Sequence, residues 1–180
     1  MQLSILDLFI LSLLDRGLGT KYDLQRQGGV SVGSSSAVLR RLEAQHLVRG
    51  KDDTGDSNRP RHRYELSALG RRSVRQGWQA SLATTEEMDI DAVLRMVDVA
   101  THYGAGPAEI ATFLANAIAQ RQTASPSTRP GGDSQTVIPL GYLPIRKRWD
   151  AARSEAEANF LTVIATHWRL KRKRSTSSAP

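Results

Sequence analysis

The chain has 180 residues, with 25 Lys plus Arg against 18 Asp plus Glu and a formal net charge of +7. That length supports one sizeable domain or two small ones, and the basic balance favours acidic partners such as nucleic acid. The sequence has no cysteine, which excludes disulfides, thiolate metal sites and cysteine nucleophiles and fits a reducing cytoplasm.

The first helix is expected over residues 4–15, where Leu6, Phe9, Ile10 and Leu13 follow helical spacing and Gly17 ends the run. This apolar stretch is too short to span a bilayer and lacks the basic flank of a signal peptide. Ile5, Leu8 and Leu11 make a second apolar face, so the helix must be buried on two sides. The outer face, with Leu8 and Leu11, asks for a later helix or a second subunit.

Thr20 caps a short second helix to Arg26, stopped by Gly28 and Gly29. A third opens at Ser31 or Gly33 and runs through Gln45. Leu39 and Leu42 face inward there, leaving Ser31, Ser34, Ser35, Ser36, Arg40 and Arg41 for solvent or a ligand. A strand over 47–51, a polar loop over 52–60 and a return strand over 61–66 follow. Ser67 caps a fourth helix reaching about Ser81. Helix, helix, helix, strand, loop, strand, helix is the order of a winged helix-turn-helix. Its third helix enters the major groove of DNA and its hairpin loop reaches the flanking backbone.

The segment from Asn58 to Gly70 carries the strongest local signal. Arg59, Arg61, His62 and Arg63 crowd around Pro60 and then give way to Tyr64 and Leu66. Arginine forks on a stiff loop suit phosphate; a solvated basic loop is the plainer reading. Short serines at the start of the third helix let its backbone approach phosphates or base edges, and Arg40 and Arg41 can fork onto phosphate or guanine.

The first 75 residues resemble the PadR family of bacterial transcription regulators. The resemblance is carried by Val30-Ser31-Val32-Gly33-Ser34 leading into Leu39-Arg40-Arg41-Leu42-Glu43 and Leu47-Val48. It is carried also by Arg59-Pro60-Arg61 followed by Tyr64, Leu66, Ser67 and Gly70. Lys21 and Tyr22 stand where the family begins its second helix. Two positions depart from the pattern: Ser36 replaces a Tyr of helix three, and His46 replaces the Gly before the closing apolar pair. Because His takes a left-handed turn less readily than Gly, the second departure predicts a different helix exit.

Beyond residue 81 an all-helical region is expected to 174. Asp89 caps a helix over 90–103 with Val93, Leu94 and Val97 inward. Pro107 opens another with Ile110, Phe113, Leu114, Ala117 and Ile118. The Ser-, Thr-, Pro- and Gly-rich stretch 123–136 reads as a flexible loop and 175–180 as a disordered tail. A long helix over 145–172 carries Trp149, Ala152, Ala156, Phe160, Val163, Ile164 and Trp168 as its stripe. The resemblance implies that this region forms a homodimer. The residues point the same way, because the first helix's outer face, with Leu8 and Leu11, and the long helix's Trp149, Phe160, Ile164 and Trp168 ask for a partner surface; a monomer whose helices close their own core is the alternative. The resemblance also implies repression, and for some members a flat aromatic effector between subunits. Trp78, Trp149 and Trp168 would suit such a ligand, and equally suit core or interface. The basic run from Arg169 to Arg174 reads either as a DNA contact or as a solvated end.

Histidines at 46, 62, 102 and 167 have no metal-ligand spacing, and Gly104-Ala105-Gly106 ends a helix rather than following a strand. No enzyme, metal or cofactor is expected. The expectation is a double-stranded-DNA-binding regulator. An architectural nucleic-acid binder without sequence preference and a winged-helix protein-interaction module are the alternatives.

Overall fold

The computed structural model describes residues 3–53, 61–83, 88–124 and 142–176. The chain divides into two units. One comprises residues 1–84 with 94–105, the other 85–93 with 106–180.

In the first unit α1 (Ile5–Asp15), α2 (Lys21–Arg26) and α3 (Val32–Ala44) precede β1 (Val48–Asp53), β2 (Arg61–Leu66) and α4 (Ala68–Ala83). Each early helix starts on a hydroxyl cap: Ser4, Thr20 and Ser31 accept from the backbone of Asp7, Asp23 and Ser34. At Ser4 and Thr20 the aspartate three residues on reaches back to close a capping box. Ser67 accepts from the Gly70 N–H at 2.9 Å and so opens α4 as expected. β1 and β2 pair antiparallel from Val48 opposite Leu66 to Asp53 opposite Arg61. This order and pairing make a winged helix-turn-helix. The loop expected from residue 52 starts later, because Asp52 and Asp53 extend β1.

Two faces of α1 are indeed buried, but inside one chain. Leu8 and Leu11 are wholly inaccessible, so their expected place at a subunit interface is corrected. The cause is α4, where a Cβ on Gly77 would stand 3.0 Å from Leu8 Cδ2. The later part of α5 (Ile90–His102) also belongs to this unit: Arg95 lies over the Phe9 ring, and Asp98 pairs with Arg16. Trp78, on α4, is buried as well.

The exit of α3 reverses another expectation. Leu47 N–H bonds the Leu42 carbonyl and His46 N–H bonds that of Glu43, both at 2.9 Å, in a Schellman turn closed by buried Leu42 and Leu47. His46 adopts φ 59° to make it. The turn is thus the one a glycine would form, held by the buried leucines despite the side chain's steric cost. His46→Gly is expected to raise stability by about 0.5–1 kcal/mol, measured by urea unfolding.

At the end of α1, Tyr103 donates to Asp15 Oδ2 at 3.1 Å. Burial, and then the Asp15 charge, push the Tyr103 phenol well above its ordinary value of 10.0. The sign follows from linkage: the phenol stays protonated when folded and ionises more readily when unfolded. Its contribution is therefore complete below pH 10 and is lost as pH rises beyond it. Urea midpoints taken from about pH 9 to about pH 11 should fall more steeply for the native chain than for Tyr103→Phe.

In the second unit α6 (Pro107–Ala124) packs on α7 (Tyr142–Thr176) through Ile110, Phe113, Leu114 and Ala117 facing Ala158, Leu161 and Ala165. The stripe expected on α7 is displaced: Phe160 is 52% and Val163 69% exposed, and Ala152 and Ala156 face solvent. Small alanines on either side of Leu161 let two helices approach, whereas Phe160 and Val163 point away from the contact; Ile164 and Trp168 are half-buried, and the Trp149 side chain lies outside the described residues. Arg121 takes the next apolar position of α6 and is buried. It donates to Glu157 at 3.1 Å and to the carbonyls of Ala117 and Met88 at 3.0 and 2.9 Å. Pro144 sits within the first turn of α7, where its missing N–H removes no helical bond. Thr123 and Ala124 belong to α6, and Ser175 and Thr176 to α7; the rest of the expected loop and tail lies outside the described residues. No described helix is long and apolar enough to cross a membrane.

Candidate nucleic-acid interface

The solvent side of α3 is built from small residues. Gly33, Ala37 and Arg40 stand at i, i+4 and i+7 and are all exposed, beside exposed Ser31 and Ser34. Nothing lies within 4 Å of where a Cβ on Gly33 would be. Ser31 donates to the Ser34 hydroxyl at 2.9 Å, and Ser36 is half-buried. Val32 is 47% exposed at the first helical position. Sequence reasoning had not singled it out; the signal available was an apolar residue outside the inward spacing of Leu39 and Leu42.

Ser35 is a correction. It is fully buried and its hydroxyl donates to the Val32 carbonyl at 3.1 Å, so it cannot face a ligand. One helical step of about 100° separates it from exposed Ser34. The two arginines split likewise. Arg41 is paired with buried Asp7, the capping-box residue of α1, while Arg40 is exposed with no ion pair among the described residues.

The hairpin sorts its side chains by alternation. Val48, Gly50 and Asp52 share one face with Leu66, Tyr64 and His62. The buried ends, Val48 and Leu66, root this face in the core, and His62 Nδ1 lies 2.7 Å from Asp52 Oδ1 nearer the tip. The Tyr64 phenol is raised above its ordinary range by burial and then by the Glu43 charge. On the other face Arg49 stands opposite Glu65 and Lys51 opposite Arg63. Arg63 is spoken for: it donates to the Gly17 carbonyl at 2.8 Å, tying β2 to the turn after α1. Arg49 and Lys51 are exposed and make no ion pair among the described residues. They were not among the sequence candidates, because two cations separated by Gly50 form no local cluster like that at 59–63.

Lys21 is half-buried and Tyr22 is 61% exposed on α2, where Arg26 donates to the Tyr22 hydroxyl at 2.6 Å. Arg59 lies outside the described residues, and Arg61 begins β2. Among the described residues no group of three or more His, Asp or Glu side chains could hold a metal ion.

No family model matches the sequence, and no curated protein is similar to it. Among solved structures, the chain is similar to the crystal structure of Bacillus subtilis PadR in complex with operator DNA. The match covers 91% of this chain and 99% of that chain, at 14% identity and a TM-score of 0.38. That relative sits on operator DNA. The winged-helix assignment itself stands on the order and pairing of this chain's own elements.

Proposed function

We propose that the chain is a cytoplasmic, PadR-type transcription regulator that binds double-stranded DNA, with α3 in the major groove and the hairpin on the flanking backbone. The observation that carries this reading is the solvent side of α3: small residues from Ser31 to Ala37 ending in exposed Arg40, which makes no ion pair among the described residues. Such a surface lets a helix approach base edges, and its amino-terminus faces phosphate favourably. Ser31, Ser34, Ser36, Arg40, Lys21 and Tyr22 stay as contacts on this reading, and Val32 adds an apolar contact for a thymine methyl. On the hairpin, Arg59, Arg61 and His62 are joined by Arg49 and Lys51. Arg41 and Arg63 serve chiefly to hold α3 and the wing in place.

The functional unit in this proposal is a homodimer that represses from a pseudo-palindromic operator, reading half-sites about one duplex turn apart. Exposed Phe160 and Val163 on α7 support a second copy meeting that helix, with Trp149, Ile164 and Trp168 along it. Trp168 is also the residue an aromatic effector would meet there, since Trp78 is committed to the first unit's core.

A mobility-shift assay on the DNA upstream of the protein's own gene tests the reading. Binding that survives excess competitor DNA is expected. Equal affinity for scrambled duplex would favour the architectural alternative, and no binding at low salt would overturn both.

A further inference from the structure

We propose that Glu43 is a positioning residue that clasps the wing to the recognition helix, and that the clasp determines how sharply an operator is distinguished from random DNA. This inference rests on the DNA-binding reading above.

Glu43 lies in the last turn of α3, and its Oε1 accepts the backbone N–H of Gly50 in β1 at 3.0 Å. Gly50 stands opposite Tyr64, and Asp52 opposite His62, all on the hairpin face rooted in the core. The His62 ring packs edge-on against Tyr64, with centroids 4.7 Å apart, while its Nδ1 meets Asp52. Because Gly50 has no side chain, His62 and Glu43 close over it. A Cβ there would stand 2.4 Å from His62 Nε2 and 2.9 Å from Glu43 Oε1. Groups from α3, β1 and β2 thus meet at one glycine, roughly midway along the hairpin.

Nearer the root, the His46 turn and the bond from Ser67 N–H to the Leu47 carbonyl already fix the chain. Further out, the Glu43–Gly50 bond is the hydrogen bond that joins α3 to the strand among the described residues. The β2 rim is tied to the turn after α1, where Tyr64 N–H and the Arg63 guanidinium donate to the carbonyls of Gly19 and Gly17. The β1 rim is tied to α3 through Glu43, and without that bond the ribbon tilts about its β2 rim relative to α3. Base readout needs helix and wing placed together on one duplex, whereas random DNA is held by backbone contacts that tolerate pivoting. Loosening the clasp therefore lowers operator affinity more than it lowers random-DNA affinity. The carboxylate charge is not the operative feature, because the bond requires only an acceptor oxygen.

The test uses the full chain as native sequence, E43Q, E43A and G50A. The first measurement needs no DNA. Spin labels are attached to cysteines introduced by A37C and K51C, in a sequence with no cysteine of its own, and pulsed EPR reads their separation. The second is the ratio of affinities for a duplex selected from a random library by the native protein and for a scrambled duplex. E43Q should keep a narrow separation and the native ratio. E43A and G50A should broaden the separation and lower the ratio by about tenfold or more, with melting temperatures showing that each remains folded. An unchanged separation and ratio in E43A, or E43Q as damaging as E43A, would overturn the proposal. A broadened separation in E43A, in a chain that binds neither duplex, would keep the clasp and remove the DNA reading instead.

Discussion

Replacing Arg40, Arg49 and Lys51 together by Ala is expected to lower DNA affinity on the order of 10²–10³-fold near 0.1 M salt and to flatten the salt dependence by about 2–3 in slope. Each cation that neutralises a phosphate releases condensed counterions and contributes about 0.9 to that slope. Among the described side chains of α3 and the hairpin, these three cations have neither an ion pair nor a hydrogen bond, whereas Arg41 is paired with Asp7 and Arg63 donates to the Gly17 carbonyl. Arg41→Ala should behave differently. It leaves Asp7 buried without its guanidinium, so stability should fall while the slope is nearly kept. Affinity measured across a salt series, beside urea unfolding, separates the two. An unchanged slope in the triple variant would remove these residues from the phosphate contacts.

Gly70→Ala is expected to be the most damaging single exchange in the first unit. Its Cβ would stand 2.1 Å from the Leu47 carbonyl oxygen, 3.0 Å from the carbonyl carbon and 3.3 Å from Leu66 Cδ2. That carbonyl accepts from Ser67 N–H at 3.0 Å, and Ser67 Oγ donates to the His46 carbonyl at 2.7 Å. Backbone held in this way cannot withdraw as a flexible side chain could. The gain of about 1 kcal/mol from alanine's helix propensity is outweighed, for a net loss of about 3 kcal/mol and a Tm lower by roughly 10 °C or more. Gly33→Ala is the control: it meets open space and should stabilise the helix slightly. If calorimetry found Gly70→Ala as stable as the native chain, the close packing of α4 on the root of the hairpin would be wrong.

The element order was legible because its punctuation is local. Thr20, Ser67 and Asp89 each cap the helix expected of them, Ser4 caps the first helix rather than beginning it, and Gly17 and Gly104 take the left-handed turns that close α1 and α5. What the sequence hides is the direction in which neighbouring polar residues point. Ser34 and Ser35, or Arg40 and Arg41, are equivalent as letters, and one helical step decides that the second of each pair meets core or Asp7. Arg63 looks like its basic neighbours until the strand brings it to the Gly17 carbonyl. On α7 the weight given to large apolar side chains misplaced the stripe, since contact with α6 selected alanines flanking a leucine. Arg121 escaped notice because its burial depends on an acceptor, Glu157, supplied by another helix.

The hairpin also controls its own stickiness. Gly50 and Tyr64 face each other as a pair whose N–H groups point outward, one along each rim of the ribbon. Glu43 occupies the first and the Gly19 carbonyl, at 2.8 Å, the second. A foreign strand seeking to extend the ribbon finds these two central donors already taken, one on each side, which opposes edge-to-edge pairing at the middle of the wing.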